Sequence, residues 1–174
     1  MKVILISFLL MFSIFTFGCF LDDTEEYLKD LKSENIIVRN DAIYNLGEDE
    51  EEDAVPLLIK LLNKDQPKEI RLSLIEALGK IGEDSSVDPL VGVLRDKDPE
   101  IRIAVVEALG KIKDTNAVQP LIEVLEDKDI QLFVIWSLGN IGDKSAVPAL
   151  MKILDSEDKY VRYNAAQALK EIDN

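Results

Sequence analysis

Apolar residues along this chain return at helical spacing. Leu57, Leu58, Leu61 and Leu62 share one face of a helix, and Leu90, Val93 and Leu94 repeat that face one unit later. Ile101, Val105 and Leu109 mark a second helix that follows the first. The polar run Arg95-Asp96-Lys97-Asp98-Pro99 separates the two. Asp98 is placed to cap the second helix and Pro99 to open it, because an N–H in a first helical turn has no partner within the helix to lose. No segment alternates polar and apolar residues as a half-buried strand does. The pattern predicts short helix pairs throughout.

The pairs repeat. Leu46-Gly47, Leu78-Gly79, Leu109-Gly110 and Leu138-Gly139 stand 29 to 32 residues apart, and Leu169-Lys170 is an altered fifth copy. Seven positions before each leucine come Arg39, Arg71, Arg102, Gln131 and Arg162. Ala54-Val55-Pro56, Val87-Asp88-Pro89, Val118-Gln119-Pro120 and Val147-Pro148 open the later units. Asn45, Ala77, Ala108, Ser137 and Ala168 recur just before the leucine, and side chains this small allow helices to approach closely. The second helix of unit three is expected to stop at Gly110 or shortly after, where glycine permits a left-handed cap. One helix pair cannot cover its own apolar faces, so the stacked array is the folding unit. The expectation is an all-α, right-handed α-solenoid of about five two-helix repeats. They span about residues 24–53, 54–86, 87–116, 117–145 and 146–174, behind a separate segment 1–21.

This pattern resembles the HEAT repeat, and most closely the short HEAT-like type first noted in phycobilisome lyases. The resemblance rests on the Ala-Val-Pro-Leu-Leu opening, the Asp-x-x-[Ile/Val]-Arg turn and the Ala-Leu-Gly-x-Ile-Gly close. It covers about residues 24–174. It implies that a turn aspartate and the helix arginine interact between neighbouring repeats, which carries over to Asp98 with Arg102 and to Asp158 with Arg162. Arg39 and Arg71 belong to the same ladder, which should be incomplete, because Gln131, Pro67 and Asn35 break the pattern. It also implies that second helices line the concave side.

Composition narrows the function. The chain holds 34 acidic and 20 basic residues, a net charge of −14, with no basic stripe along the sequence. That opposes nucleic-acid binding, where phosphate neutralisation needs clustered Lys and Arg. There is no histidine, which removes Ser-His-Asp and Cys-His catalysis and histidine-based metal sites. Among HEAT-like enzymes, deoxyhypusine hydroxylase holds its iron pair with His-Glu motifs, so that activity is rejected here. No glycine-rich phosphate loop is present; Gly79-Lys80-Ile81-Gly82 reads as a helix end. The run Glu48 to Asp53 lacks the spacing that folds a loop around Ca²⁺ and reads as a solvated turn. Neither an enzyme activity nor a cofactor is expected.

The anomaly is apolar. On the second helices, the face opposite the core carries Asn40, Asp41 and Tyr44; Leu72, Ser73 and Glu76; Ile103, Ala104 and Glu107; Leu132, Phe133 and Trp136; and Tyr163, Asn164 and Gln167. Leu72, Ile103 and Leu132 could pack between adjacent helices. Phe133 and Trp136 are harder to bury that way, and exposed aromatics of this kind anchor protein partners. The expected groove for a protein or peptide comprises Leu72, Ile103, Leu132, Phe133, Trp136 and Tyr163.

The first 21 residues differ from the rest. Lys2 precedes an uncharged run from Val3 to Leu21, with the sole cysteine, Cys19, after Gly18 near its end. This resembles a bacterial lipoprotein signal with Cys19 as the lipidated residue, although Thr16 and Phe17 depart from the usual box. A spanning helix and ordinary cleavage are the alternatives. Either membrane reading leaves the solenoid outside the cytoplasmic membrane, attached through its N-terminus only. The expected function is an exported, membrane-anchored binding scaffold. Alternatives are a non-catalytic subunit or assembly factor of a lyase-like complex, or a structural envelope component.

Overall fold

The structure, a computed structural model, describes residues 23–173. Segment 1–21, with Cys19, lies outside the described residues. Helix α1 covers residues 23–30 and is followed by α2 (Ile36–Glu48). Next come α3 (Val55–Leu62) and α4 (Lys68–Ile81), then α5 (Val87–Val93) and α6 (Pro99–Ile112). The last pairs are α7 (Val118–Glu123) with α8 (Gln131–Ile141) and α9 (Val147–Ile153) with α10 (Lys159–Asp173). A 3-10 turn leads into each first helix from α3 onward, as at Glu52–Ala54 and Lys144–Ala146. The described residues are all-α and contain no strand, and the architecture is a right-handed α-solenoid.

The second helices form a continuous layer, α2 on α4, α4 on α6, α6 on α8 and α8 on α10. First helices meet the next repeat mainly through its 3-10 turn. Closer approach on the second-helix side makes that layer the inside of the curve. The cause is the glycine of each Leu-Gly pair. A Cβ on Gly47 would lie 2.8 Å from the Ala77 Cα, and one on Gly79 would meet Ala108 at 2.8 Å. Gly110 faces Ser137 and Gly139 faces Ala168 in the same way. Glycine on one helix and a small residue on the next let the backbones touch.

This corrects the expected role of Gly110, which is a packing position inside α6. The helix runs on to Ile112, and the left-handed residue is Lys113, with φ of 62°. Gly82 and Gly142 hold the corresponding left-handed caps after α4 and α8. The leucines before the packing glycines, Leu46, Leu78, Leu109 and Leu138, are fully buried. Burying a side chain of that size contributes about 1.5–3 kcal/mol, so the Leu-Gly pair both fills the core and sets the helix spacing.

Candidate functional site: the inner face and the charged seams

Polar turns are where neighbouring repeats meet through charge. Asp98 caps α6 as expected, its carboxylate accepting from the Glu100 N–H at 3.0 Å. Its ionic partner is Lys68 of the preceding repeat, at 2.8 Å, where the expected one was Arg102. Lys68 and the Glu100 N–H together hold the Asp98 carboxyl below the usual carboxylate range. Asp158 likewise accepts from the Tyr160 N–H at 2.7 Å, and Arg162 donates to the backbone carbonyls of Ser156 and Glu157. The arginine and the capping aspartate four residues before it are therefore not paired. The aspartate is turned toward the helix N-terminus, and the arginine reaches away from it.

The arginines that do pair reach forward. Arg71 meets Asp96 of the next turn at 2.6 Å. Arg102 meets both Asp127 and Asp129 at 3.0 Å, and its Nη1 also donates to the Asp96 carbonyl at 2.9 Å. Burial pushes the Asp96 carboxyl up, but the Asp98 N–H and the Arg71 guanidinium outweigh it and leave the group below its ordinary value. Among the described residues Arg39 makes only the backwards contact, from Nη1 to the Ser33 carbonyl at 3.2 Å. Gln131 keeps that backwards contact without the charge, donating to the Leu125 carbonyl at 2.8 Å while 3% exposed.

The inner face divides along its length. At its N-terminal end Lys80 pairs with Glu48 and Glu76 and lies 5.2 Å from the centre of the Tyr44 ring. Lys80 also holds the Glu48 carboxyl below its usual range. Leu72 and Ile103 are partly buried against the core and line a cleft of about 350 Å³ between α4 and α6, with Glu76, Glu107 and Lys111 around it. Leu132 lines a different cleft, of about 610 Å³, between repeats four and five. Leu132 is 42% exposed, Trp136 46% and Tyr163 64%, whereas Phe133 is partly buried against the core. The structure thus places Leu132 and Trp136 on one exposed face of α8 with Tyr163 on α10, and sets Leu72 and Ile103 apart from them.

Among the described residues, no group of three or more Cys, Asp or Glu is placed to hold a metal ion. Glu51, in the acidic run, accepts from the Thr24 hydroxyl at 3.0 Å and ties that turn to α1. No helix among the described residues is long and apolar enough to cross a membrane.

Helix pairs stacked through a Leu-Gly ridge define a class, the α-solenoid repeat proteins. Within it, a model of HEAT repeats matches residues 24–96, 58–132 and 125–174, and the chain belongs to the HEAT-repeat family. A comparison with curated proteins finds no match. Among solved structures, the chain is similar to one in the complex of CpcE and CpcF of phycocyanin lyase from Nostoc sp. PCC7120. The identity is 26% and the TM-score 0.74, over 86% of this chain and 64% of that one. The chain therefore spans just under two thirds of that relative's length. An engineered protein is 24% identical with a TM-score of 0.63, covering 86% of this chain and 79% of its own. A designed armadillo repeat protein in complex with the peptide (KR)4 is 22% identical, with a TM-score of 0.66 over 84% and 80% of the two chains. These last two likenesses concern the fold alone.

Proposed function

We propose that this chain is a non-catalytic binding scaffold whose inner face, at α8 and α10, takes a protein or peptide partner. The observation that carries the reading is the exposure of Leu132, Trp136 and Tyr163 on adjacent second helices. Exposed large apolar side chains on a rigid helical layer supply anchoring contacts at little cost in ordering. The scaffold is held outside the cytoplasmic membrane through its N-terminus, with Cys19 as the attachment point. Lys2, the uncharged run and Gly18-Cys19 support that part.

The inner-face reading is tested by a photo-reactive residue at position 163 in the native envelope. Trp136→Ala is expected to lower the crosslinked yield of a defined partner by about thirtyfold in affinity, the equivalent of about 2 kcal/mol for a hot-spot aromatic. Its melting temperature should barely move, because shortening a half-exposed side chain leaves no closed cavity. Leu138→Ala, fully buried on the same helix, should cost about 2–5 kcal/mol of stability. Unfolding by Trp136→Ala would sink the groove. The anchor is tested by mass spectrometry of the N-terminus and by fractionation of Cys19→Ser. A free thiol at Cys19 with Met1 intact rules out the lipid.

The similarity to a chain of the CpcE–CpcF complex favours a second reading, a non-catalytic subunit or assembly factor of a lyase-like enzyme complex. An enzyme whose activity requires this chain in stoichiometric amount would select it.

A further inference from the structure

The seam between repeats one and two lacks what the next two seams have. Arg71 and Arg102 each meet carboxylates of the following turn, whereas Arg39 meets none. Its Nε is buried with no carboxylate beside it; the Arg102 Nε also lacks a well-directed hydrogen bond, but Asp127 stands 3.0 Å from it. The sequence does contain the corresponding aspartate, Asp65, six positions before Arg71 as Asp96 is before Arg102. Asp96 is oriented by the N–H of Asp98, which donates to its carboxylate at 2.8 Å. At the matching place stands Pro67, which has no N–H to give. Asp65 is exposed and makes no ion pair among the described residues.

In the gap lies a cleft of about 350 Å³. Arg39 lines it together with Lys32, Lys60 and Lys64, and no carboxylate does. None of these lysines is ion-paired among the described residues. Leu31, Leu57 and Leu61 give it an apolar wall. Four cations gathered around one cleft, in a chain of net charge −14, create a local positive potential against the overall field. They come from the turn after α1, from α2, and from α3 and its turn, so no basic run marks them in the sequence.

We infer that this cleft is an oxyanion site that receives a phosphate group where the ladder carboxylate is missing. A guanidinium fork suits two oxygens of one oxyanion, and the charge around it exceeds what a single carboxylate would neutralise. A phosphate carries about 1.5 to 2 negative charges at neutral pH and offers enough acceptors for the surrounding lysines. A cleft of this size takes a small ligand or a headgroup. The inference does not depend on the inner-face reading, because none of these side chains belongs to the row carrying Trp136.

The experiment is calorimetric titration of the full chain, held in a neutral detergent at low ionic strength. The probes are inorganic phosphate and, separately, short-chain phosphatidylglycerol in the same micelles. Saturable single-site binding is expected, weakened at least about tenfold in Lys60→Gln/Lys64→Gln and in Arg39→Gln, the effect of losing a charge-assisted contact. Helical circular dichroism should be unchanged in the lysine variant, whose side chains are exposed. Pro67→Ser should weaken binding without changing any charge, because it restores the N–H that turns Asp65 toward Arg39. Binding of inorganic phosphate assigns a free ligand; binding of the lipid alone assigns a headgroup. No saturable binding of either probe, or an equal loss from Lys111→Gln in the distant α4–α6 cleft, would overturn the site.

Discussion

The seam between repeats one and two and the seam between repeats three and four share a backbone and differ in charge. In both, a glycine of one second helix lies against a small residue of the next, Gly47 on Ala77 and Gly110 on Ser137. In the later seam Arg102 is closed off by Asp127 and Asp129, and in the earlier one Arg39 faces an unfilled cleft. The stacking geometry is thus set by backbone contact, which tolerates no variation, while the charged ladder can lose a member without disturbing the array. Positions freed from the ladder become available for binding.

The largest test of this contrast lies in what is shared. Gly47→Val and Gly110→Val should each destabilise by about 2–4 kcal/mol, since no neighbour can yield at a backbone contact of 2.8 to 3.1 Å. Gly92→Ala, with nothing within 4 Å of its Cβ position, should be neutral or stabilising by about 0.5–1 kcal/mol. Chemical denaturation followed by circular dichroism reads all three. A mild effect of Gly47→Val would mean that the first repeat is loosely docked.

Next comes the ladder. Arg102→Ala should cost about 1–3 kcal/mol, because it leaves two carboxylates and a carbonyl without their partner. Arg39→Ala should cost less than about 1 kcal/mol, having one carbonyl contact to lose. Equal losses would show that the arginine stem, not its charge, holds the seams.

Acid should sharpen the difference further. The Asp96 carboxyl lies below its ordinary value of 3.8 in the folded protein. Its contribution is therefore complete above about pH 4 and is lost as the pH falls through the folded-state value. Asp96→Asn should flatten the acid limb of the stability–pH curve and leave the neutral limb parallel to wild type. An unchanged acid limb would show that the Arg71 pair adds nothing.

The smallest effect concerns the helix ends at the same two seams, where Glu50 and Lys113 adopt left-handed backbone with φ of 53° and 62°. Glu50→Gly and Lys113→Gly should each stabilise by about 0.5–1 kcal/mol, as relief of a Cβ clash that glycine does not have. Thermal melts of the two variants should shift upward together.

Much of this was legible because helical periodicity and capping chemistry are local. The Leu-Gly spacing, the Asp98-Pro99 start of α6 and the small residues before each leucine mark the helix pairs directly. The face carrying Leu132 and Trp136 also followed from angular position on the helix, and both side chains are exposed. The pairing of Arg102 was not legible. Asp98 stands four residues before it, the spacing of a helical ion pair, yet a capping aspartate aims at backbone N–H groups. Its partner Lys68 lies in the preceding repeat. The role of Gly110 was misplaced for a related reason. Near a helix end, glycine serves a left-handed turn or a close approach, and only the neighbour, Ser137, decides which.

By itself, the sequence determined the repeat, its helical content and the exposure of Leu132, Trp136 and Tyr163, since these depend on contacts within a turn or two of helix; Leu72, Ile103 and Phe133 of the same expected row pack partly against the core. The tertiary structure alone decided where each arginine ends and which cations gather at the first seam. Lys32, Arg39, Lys60 and Lys64 come from separate helices and turns and meet only when two repeats stack. A long, flexible charged side chain reaches across that stack, so its partner is chosen by the geometry of the neighbouring turn and not by spacing along the chain.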